Sequence, residues 1–351
     1  MKISLITYHF STNNGVVMQA YATCRILKNL GHNVEIINLH HKDLQNKSIM
    51  FKFFERIIRE IYMRKFQKYF LPPLTKKYYS LKELQNDPPK SDCYLVGSDQ
   101  VWNPNICNNS LLAFFLDFGN SEIRRVSYAS SFGVKEWPIT DININLHLSK
   151  LLNSFFAVSV REEEGRFICN KNFGIEPTVV LDPTLLHSDY NEITGEINSN
   201  QEIVCYKLNK TKDFFENISV VSRELKLPIR LLNSWRPIRG FKYNFPPSTK
   251  VWIKRIAGAS FVVTDSFHGL AFSLIYQKQF VVILNEDGKN SRLENVLNKL
   301  DLNDRLFTSV KAMSDNLSWK NRIDYEIIGP KLQLLKQSSL NFLQNALHQN
   351  D

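Results

Sequence analysis

The N-terminal residues constrain the fold more than any other stretch, because they alternate a strand, a helix and a second strand. Residues 2–7 (KISLIT) form an apolar run typical of a buried strand. Residues 13–15 (NNG) predict a turn, and residues 16–31 have helical spacing that ends at Gly31. Residues 34–38 predict the next strand. Such a βαβ unit requires a parallel sheet, so we predict an α/β, doubly wound fold.

Two successive series of strand candidates predict two Rossmann-like domains that face a cleft. The Asn-rich residues 191–201 predict a linker. We therefore place an N-terminal domain at 1–190, a C-terminal domain at 191–326 and a C-terminal helix in 327–351. The strand candidates after the first unit are residues 93–96, 125–129, 155–160, 178–181, 203–207, 229–232, 261–264 and 280–284.

Composition bounds the class of protein. The chain has 351 residues, is 43% hydrophobic and contains no apolar run near the ~20 residues that span a bilayer. Its five cysteines are odd in number and form no CxxC pair, which argues against a disulfide framework or a structural zinc site. The start of the chain has the pattern of a strand rather than of a signal peptide, so we expect a cytoplasmic protein.

The net charge of +10 predicts an anionic partner: nucleic acid, anionic lipid or a phosphorylated substrate. No nucleic-acid-binding signature accompanies the charge, so nucleic acid is not predicted. The phosphate-binding patterns GxGxxG and GxxxxGK do not occur, so arginine, lysine or helix N-termini must hold any phosphate. No metal-ligand pattern occurs, and no metal is predicted.

Polar residues follow several predicted strands, where ligands of open α/β sheets bind. In residues 262–272 (VVTDSFHGLAF), an apolar strand turns into an apolar helix, and His268 lies at the junction. A structural histidine is one interpretation. The other is a general acid, because the helix N-terminus disfavours imidazolium while a bound anion favours it.

Two further junctions carry charged residues with open roles. Arg161 ends the strand candidate 155–160 and precedes Glu162–Glu164, so it forms either a helix-start charge pair or a guanidinium fork for a carboxylate or phosphate. Residues 181–184 (LDPT) predict a turn capped by Asp182.

Residues 97–102 (GSDQVW) follow the strand candidate 93–96. Asp99 is either the N-cap of the next helix or a carboxylate that acts as a base or binds a hydroxyl. Trp102 is either a core residue or a platform for a sugar ring.

Residues 50–70 mix basic and large apolar residues at helical spacing. One interpretation is a helix packed on its own domain, and the other is a helix lying on an anionic membrane surface. The predicted apolar face holds residues 53, 54, 57, 58, 61, 62 and 66, and the basic residues are Arg56, Arg59, Arg64, Lys65 and Lys68.

Seven motifs, in this order and over nearly the whole chain, resemble the polysaccharide pyruvyl transferase family. They are NNGVVMQAYA (13–22), GSDQVW (97–102), SYASSFG (127–133), SVREEEG (159–165), VLDPTLL (180–186), TDSFHGLAFS (264–273) and NSRLENVLNKLDLNDR (290–305).

The resemblance implies a GT-B-like fold and transfer of a pyruvyl group from phosphoenolpyruvate onto two hydroxyls of a sugar, which forms a cyclic ketal. It implies a polysaccharide or lipid-linked oligosaccharide acceptor, as in capsule or exopolysaccharide synthesis, and no cofactor. His268 matches the family's general acid and Arg161 one of its donor-binding arginines. The N-terminal domain is the expected acceptor side and the C-terminal domain the donor side.

One position departs from the family pattern. Some members have a second arginine two residues before the histidine, where this chain has Ser266. We expect Arg292, with Lys289 as a second candidate, to take its place beside Ser266 in donor binding. Asp99 is expected to orient or deprotonate an acceptor hydroxyl, and the expected acceptor-binding residues are Asn14, Gln19, Gln100 and Trp102.

Two alternatives stay open. One is a glycosyltransferase that uses a nucleotide-sugar donor on the same fold. The other is a non-catalytic sugar-binding relative, which Ser266 in place of arginine favours. Donor trials separate both from a pyruvyl transferase.

Overall fold

The N-terminal βαβ unit is confirmed and belongs to a parallel sheet. The computed structural model describes residues 1–40, 50–234, 237–243, 247–285 and 290–348, with the backbone alone for 50–56. The first sheet has the order β3-β2-β1-β4-β5, and its described pairings are parallel. Its strands are β1 (Lys2–Ile6), β2 (Asn33–Leu39), β3 (Leu74–Tyr78), β4 (Cys93–Val96) and β5 (Arg124–Ser127).

A two-stranded parallel sheet continues this sheet beyond β5. Its strands are β6 (Ser159–Val160) and β7 (Thr178–Val179). Isolated bridges join Val126 to Ala157 and Ser130 to Val160. The carboxyl ends of β4, β5, β6 and β7 therefore meet along one edge.

The first helix begins and ends at capping residues that the sequence indicates. Helix α1 begins after Asn13, whose side chain accepts from the Gly15 amide, and the chain leaves the helix through Gly31 at φ 85°. The helices are α1 (Asn14–Asn29), α2 (Met50–Phe70), α3 (Leu81–Asn86), α4 (Pro104–Cys107), α5 (Leu111–Phe114), α6 (Ile142–Asn153), α7 (Glu163–Ile168) and α8 (Pro183–His187), with a 3₁₀ turn at Asn108–Ser110 and a π-helical turn at Cys169–Phe173.

The second sheet repeats the architecture with the order β10-β9-β8-β11-β12-β13, also parallel in its described pairings. Its strands are β8 (Ile203–Tyr206), β9 (Ile229–Leu231), β10 (Lys242–Tyr243), β11 (Phe261–Thr264), β12 (Gln279–Ile283) and β13 (Leu306–Phe307). The helices of the second half of the chain are α9 (Asn191–Thr194), α10 (Lys212–Asn217), α11 (Ser219–Leu225), α12 (Thr249–Gly258), α13 (Phe267–Ile275), α14 (Ser291–Lys299), α15 (Val310–Asp315) and α16 (Tyr325–Leu347), with 3₁₀ turns at Asn303–Arg305 and Leu317–Lys320.

The central strands are buried on both faces. Every residue of β4 (CYLV), β8 (IVCY) and β11 (FVVT) is buried. Continuous apolar strands are typical of parallel sheets covered by helices on both sides. The predicted α/β fold with a C-terminal helix is therefore confirmed.

The chain divides into two compact units. The first comprises Met1–Lys47, Phe66–His187 and Leu334–Asp351, and the second comprises Ser48–Lys65 and Ser188–Gln333. Compared with the predicted division, the second unit gains residues 48–65 and the first gains the end of α16. The predicted linker 191–201 begins with helix α9 instead of an extended chain.

Helix α2 buries only part of the apolar face that its sequence predicts. Phe66, on that face, and Met63, outside it, are buried, whereas Ile57 and Ile61 are 37% and 47% exposed. The exposed basic residues Arg64, Lys65 and Lys68 share the solvent side. Within the described residues, no helix is both long enough and apolar enough to cross a bilayer.

The loop after β1 contains a histidine that the fold keeps neutral. Burial lowers the pKa of His9 below its ordinary value of 6.5, and hydrogen bonds to the Thr7 carbonyl and to Asn38 oppose this only in part. The unfolded chain then binds a proton more readily than the folded protein. The stabilising contribution of neutral His9 is complete above about pH 6.5 and is lost as the pH falls toward the folded pKa.

We therefore expect acidification from pH 8 to pH 5 to lower the free energy of unfolding less in His9→Asn than in the wild type. Asparagine keeps a donor for the Thr7 carbonyl and does not titrate. Urea unfolding at each pH measures the difference, with His40→Asn as the control at an exposed histidine. Equal pH dependence in His9→Asn and wild type contradicts the assignment.

Candidate functional site

The polar residues singled out in the sequence gather at the carboxyl edges of the two sheets. In the first sheet the chain runs from β1 outward to β3, then returns to place β4 beside β1. In the second sheet β8 and β11 are neighbours in the same way. These topological switch points are where open α/β sheets bind ligands.

At the first switch point, side-chain hydrogen bonds join the loop after β1 to the loop after β4 and to α1. The Thr7 hydroxyl donates to the Ser98 carbonyl at 2.9 Å. The Gln19 amide donates to the Thr7 hydroxyl at 3.0 Å and to the Tyr8 carbonyl at 2.8 Å. Gln19 and Asn14 are both buried. Both residues build the loop between β1 and α1, and their acceptor-binding roles stay predictions.

Asp99 lies in a strained turn directly after β4. Its φ is 81°, a left-handed conformation that costs a non-glycine residue free energy and is common at functional sites. Its carboxylate accepts from the Gln100 amide at 2.8 Å, and its carbonyl accepts from the Ser131 amide at 2.9 Å. The N-cap of the next helix is Asn103. The N-cap interpretation of Asp99 is therefore wrong.

Gln100 and Trp102 fill space behind this turn. The Gln100 side chain lies against Gly133, where an added Cβ would be 2.1 Å from Oε1, and it accepts from Asn103 Nδ2 at 2.8 Å. Trp102 is fully buried, donates its indole N–H to the Phe114 carbonyl and stacks on Phe115. Trp102 is therefore a core residue, and its placement gives no support to a sugar platform.

Arg161 is held by carboxylates of its own chain. Its side chain is 2% exposed, and Nη1 is 2.9 Å from Asp182 Oδ2, while Nε is 3.5 Å from Glu162 Oε2. Burial lowers the pKa of Arg161, but Asp182, Glu162 and Asp99 together raise it above its ordinary value. The contacts match the charge-pair interpretation, with Asp182 as a partner that sequence spacing did not indicate. Donor binding by Arg161 stays a prediction.

Asp182 has two functions in this network. Its Oδ1 accepts from the Thr184 amide at 2.9 Å, so the predicted cap of the LDPT turn is confirmed. Its Oδ2 accepts from the Ser98 hydroxyl at 2.9 Å as well as from Arg161. Asp182 therefore connects the ends of β4, β6 and β7.

The second switch point contains a buried ion pair between Lys207, after β8, and Asp265, after β11. Lys207 Nζ is 3.1 Å from Asp265 Oδ2, and the two side chains are 4% and 0% exposed. The same carboxylate accepts from the Leu208 amide at 2.6 Å and the Asn209 amide at 2.9 Å. These bonds fix the loop after β8 against the start of α13.

His268 is the second residue of α13 and follows Asp265 of this ion pair by three residues. Ser266 is the N-cap of the helix. The Thr264 hydroxyl accepts from the Ser266 amide at 3.0 Å and donates to the Tyr206 carbonyl at 2.7 Å. A Cβ on Gly269 would lie 2.1 Å from Thr264 Oγ1, so the SFHG sequence needs glycine at that position. The turn that presents His268 is thus fixed on both sides.

Arg292 lies in the first turn of α14, after the neighbouring strand β12. The Asn285 amide group donates to the Asp265 carbonyl at 3.1 Å. The Asn290 side chain exchanges two hydrogen bonds with the Asn285 backbone. Arg292 and His268 therefore both lie at helix starts along the carboxyl edge of the second sheet. Lys289, the other predicted substitute, lies outside the described residues.

The structure thus groups the predicted residues in two sets, one in each unit. Asp99, Gln100 and Arg161 belong to the first unit, and His268, Ser266 and Arg292 belong to the second. Sequence reasoning missed Lys207, although a lysine that ends the apolar strand candidate 203–207 was a usable signal. No group of metal-ligating side chains occurs within the described ranges.

Comparison with solved structures defines the class of fold. Over 100% of the chain, the protein is similar to a putative UDP-N-acetylglucosamine 2-epimerase from Listeria monocytogenes, of which 97% is covered, with a TM-score of 0.56 and 10% identity. It is also similar to the UDP-GlcNAc 2-epimerase from Neisseria meningitidis, bound to UDP-GlcNAc, with a TM-score of 0.54, 10% identity and coverage of 97% and 100%. The S. aureus MnaA structure with UDP gives a TM-score of 0.54 at 11% identity, with coverage of 100% and 98%. These likenesses confirm a GT-B-like fold.

The family model for polysaccharide pyruvyl transferase matches residues 16–287, which is more than half of the chain. The chain therefore belongs to the polysaccharide pyruvyl transferase family, as its motifs predict. No curated protein matches the chain in a sequence comparison.

Arg161 should be essential for stability. Removing one partner from a buried ion pair costs roughly 3–5 kcal/mol, because the remaining charges stay buried. We therefore expect Arg161→Met to lower the free energy of unfolding by about that amount. The matched control is Arg166→Met, whose ion pair with Glu163 is about half exposed and should be worth ~1 kcal/mol or less. Chemical denaturation of both variants measures the loss in the free energy of unfolding. Equally small losses in the two variants would contradict the buried charge pair.

Proposed function

We propose that the protein transfers the pyruvyl group of phosphoenolpyruvate onto two hydroxyls of one sugar in a polysaccharide or glycan precursor. The observation that carries the proposal is His268, held at the start of α13 on the carboxyl edge of the second sheet, in a chain of this family. Phosphoenolpyruvate is an anion, and helix N-termini and basic side chains favour anions at such an edge.

The reaction has three steps in this proposal. His268 donates a proton to the methylene carbon of phosphoenolpyruvate, which makes C2 electrophilic. One sugar hydroxyl adds at C2 and phosphate leaves. The second hydroxyl then attacks C2, and its loss of a proton closes the cyclic ketal. The reaction releases one phosphate for each ketal formed and needs no redox partner.

The remaining side chains have supporting roles in this proposal. Arg292 offsets the negative charge of the donor, and Ser266 offers a hydroxyl to it. Asp99 accepts a hydrogen bond from an acceptor hydroxyl or deprotonates it. Asn14, Gln19 and Gln100 shape the acceptor side.

His268→Gln should remove most turnover while donor binding persists. General acid catalysis contributes typically ~10²–10⁴-fold, and glutamine cannot donate a proton to carbon in this way. The measurement is phosphate release from phosphoenolpyruvate, together with the mass gain of a pyruvate ketal on a panel of synthetic or lipid-linked glycosides. His147→Gln, at a partly exposed histidine, is the control. Near-normal turnover by His268→Gln would remove the histidine from the mechanism.

The same assay separates the two rival functions. The fold neighbours include structures with UDP or UDP-GlcNAc, so UDP-GlcNAc belongs in the donor panel. Turnover with a nucleotide sugar and none with phosphoenolpyruvate identifies a glycosyltransferase. Acceptor binding without release of phosphate from any donor identifies a non-catalytic relative.

We also propose that α2 brings the protein to an anionic membrane surface that presents a lipid-linked acceptor. Two exposed isoleucines one turn apart, Ile57 and Ile61, lie on a helix whose exposed side also carries Arg64, Lys65 and Lys68. Apolar residues flanked by basic ones are typical of helices at membrane interfaces.

Replacing Arg64, Lys65 and Lys68 by glutamine should weaken binding to vesicles of anionic lipid. Each basic residue near an anionic surface is worth roughly 1 kcal/mol, and salt screens the attraction. Vesicle sedimentation at two salt concentrations measures the effect, with neutral vesicles as the control. Activity on a lipid-linked acceptor should fall more than activity on a short soluble glycoside. Unchanged vesicle binding would show that α2 has no membrane role.

A further inference from the structure

An exposed aromatic pair lies at the carboxyl edge of the first sheet, at the ends of β2 and β3. His40 follows β2 directly, and Tyr79 follows β3. Their ring centroids are 5.5 Å apart, with an interplanar angle of 68°. Tyr79 is 62% exposed, and His40 is exposed as well. Both side chains therefore offer apolar ring surface and polar atoms to solvent at the edge where open α/β sheets bind ligands.

The register of the sheet places this pair in line with Asp99. Leu5 of β1 pairs with Ile36 of β2 and with Leu95 of β4. His40 follows Ile36 by four residues, and Asp99 follows Leu95 by the same four. The aromatic pair and the carboxylate of the strained turn therefore lie at one level of the same sheet edge.

The ladder between β2 and β3 reaches the pair itself. Leu39 pairs with Tyr78, and the His40 amide donates to the Tyr78 carbonyl at 2.7 Å. The Tyr79 amide donates to Glu83 Oε2 at 2.8 Å. These bonds fix the backbone of both aromatic residues, so their rings are presented from the rigid ends of two strands.

The strand order sets the distance from the pair to Asp99. The order β3-β2-β1-β4 puts two strand spacings between His40 and Asp99, and three between Tyr79 and Asp99. At ~4.8 Å for each spacing, these separations are roughly 10 and 14 Å. The loop after β1 lies between them and carries Phe10, which is 39% exposed. A single sugar ring with a hydroxyl at Asp99 is too small to reach Tyr79, whereas the next sugars of a chain extend that far.

We propose that the carboxyl ends of β2 and β3 form a second saccharide subsite, in which His40 and Tyr79 contact a sugar that neighbours the reacting sugar. This inference rests on the proposed function, with Asp99 at the reacting hydroxyl. The ring faces pack on the C–H groups of the sugar, while the imidazole and the phenol hydroxyl bond to its hydroxyl groups. The acceptor is then a chain of several sugars rather than a free monosaccharide.

The test uses soluble synthetic glycosides in pairs that end in the same sugar, one with a single sugar unit and one with four. Phosphate release gives KM and kcat for the pair whose terminal sugar gains a pyruvate ketal. The wild type should have the lower KM for the four-sugar glycoside. Tyr79→Ala should raise that KM about three- to tenfold, because apolar ring surface no longer leaves water on binding. The kcat and the KM for the one-sugar glycoside should not change.

Tyr69→Ala is the matched control. Tyr69 is 72% exposed and, like Tyr79, has a lysine ammonium over its ring. This variant should keep the wild-type KM for both glycosides. Tyr79→Phe keeps the ring and should retain most of the preference for the longer glycoside. An unchanged preference in Tyr79→Ala overturns the subsite, and so does an equal loss in Tyr69→Ala.

The subsite and the proposed function fail in distinguishable ways. Calorimetry without phosphoenolpyruvate gives the affinity for each pair of glycosides. If the wild type consumes phosphoenolpyruvate but treats both lengths alike, only the subsite is overturned. If the four-sugar glycoside binds more tightly, and Tyr79→Ala removes that advantage, but phosphoenolpyruvate is not consumed, the proposed function fails and the subsite stands. If neither phosphoenolpyruvate consumption nor a length preference in binding occurs, both fail.

Discussion

The buried ion pair between Lys207 and Asp265 is the contact on which the geometry around His268 depends. The carboxylate of Asp265 binds the ammonium of Lys207 and two backbone amides of the loop after β8, while its carbonyl accepts from Asn285 after β12. One residue thus connects the ends of three neighbouring strands. Burying two charges is costly unless further hydrogen bonds compensate for the lost water, and the carboxylate of Asp265 accepts three. The residues after Asp265 therefore start α13 from a turn that is fixed at several points, and in our proposal this turn positions the general acid.

The first unit also connects the ends of its strands through a buried charged pair, but there the carboxylates outnumber the cation. Arg161 is buried and pairs with Asp182 and Glu162, and the charge of Asp99 adds to theirs in raising its pKa, so carboxylates outnumber the guanidinium at this edge. Such a site repels an anion and suits hydroxyl groups, which donate hydrogen bonds to carboxylates. In our proposal this contrast separates the substrates: the trianionic donor binds near the second unit's basic residues, and the sugar binds near the first unit's carboxylates. The side-chain contacts of Arg161 go to Glu162, Asp182 and Ser98, and donor binding by Arg161 stays a prediction.

The sequence predicted the elements whose pattern is local and missed what depends on partners far along the chain. Strands 93–96 and 261–264 match β4 and β11 to the residue, because buried parallel strands are continuous apolar runs between polar turns. The short strands β3 (LTKKY) and β10 (KY) were missed, because edge strands carry charges and have little apolar pattern. The Asp182 cap, and the position of His268 at the junction of β11 and α13, were predicted from strand ends. The Lys207–Asp265 pair was not, because its members are 58 residues apart.

Helix α2 shows why a helical face cannot be read from hydrophobicity alone. In one interpretation the predicted apolar face was to be buried. Phe66 of that face is buried, but Ile57 and Ile61 are exposed, and Met63, outside the face, is buried as well. Large apolar residues occur on more than one side of this helix, so the neighbours that cover it decide which side is buried. Met63, on the side that packs, contacts the Thr249 hydroxyl at the start of α12. The exposed Ile57 and Ile61 instead share the solvent side of the helix with the basic residues Arg64, Lys65 and Lys68.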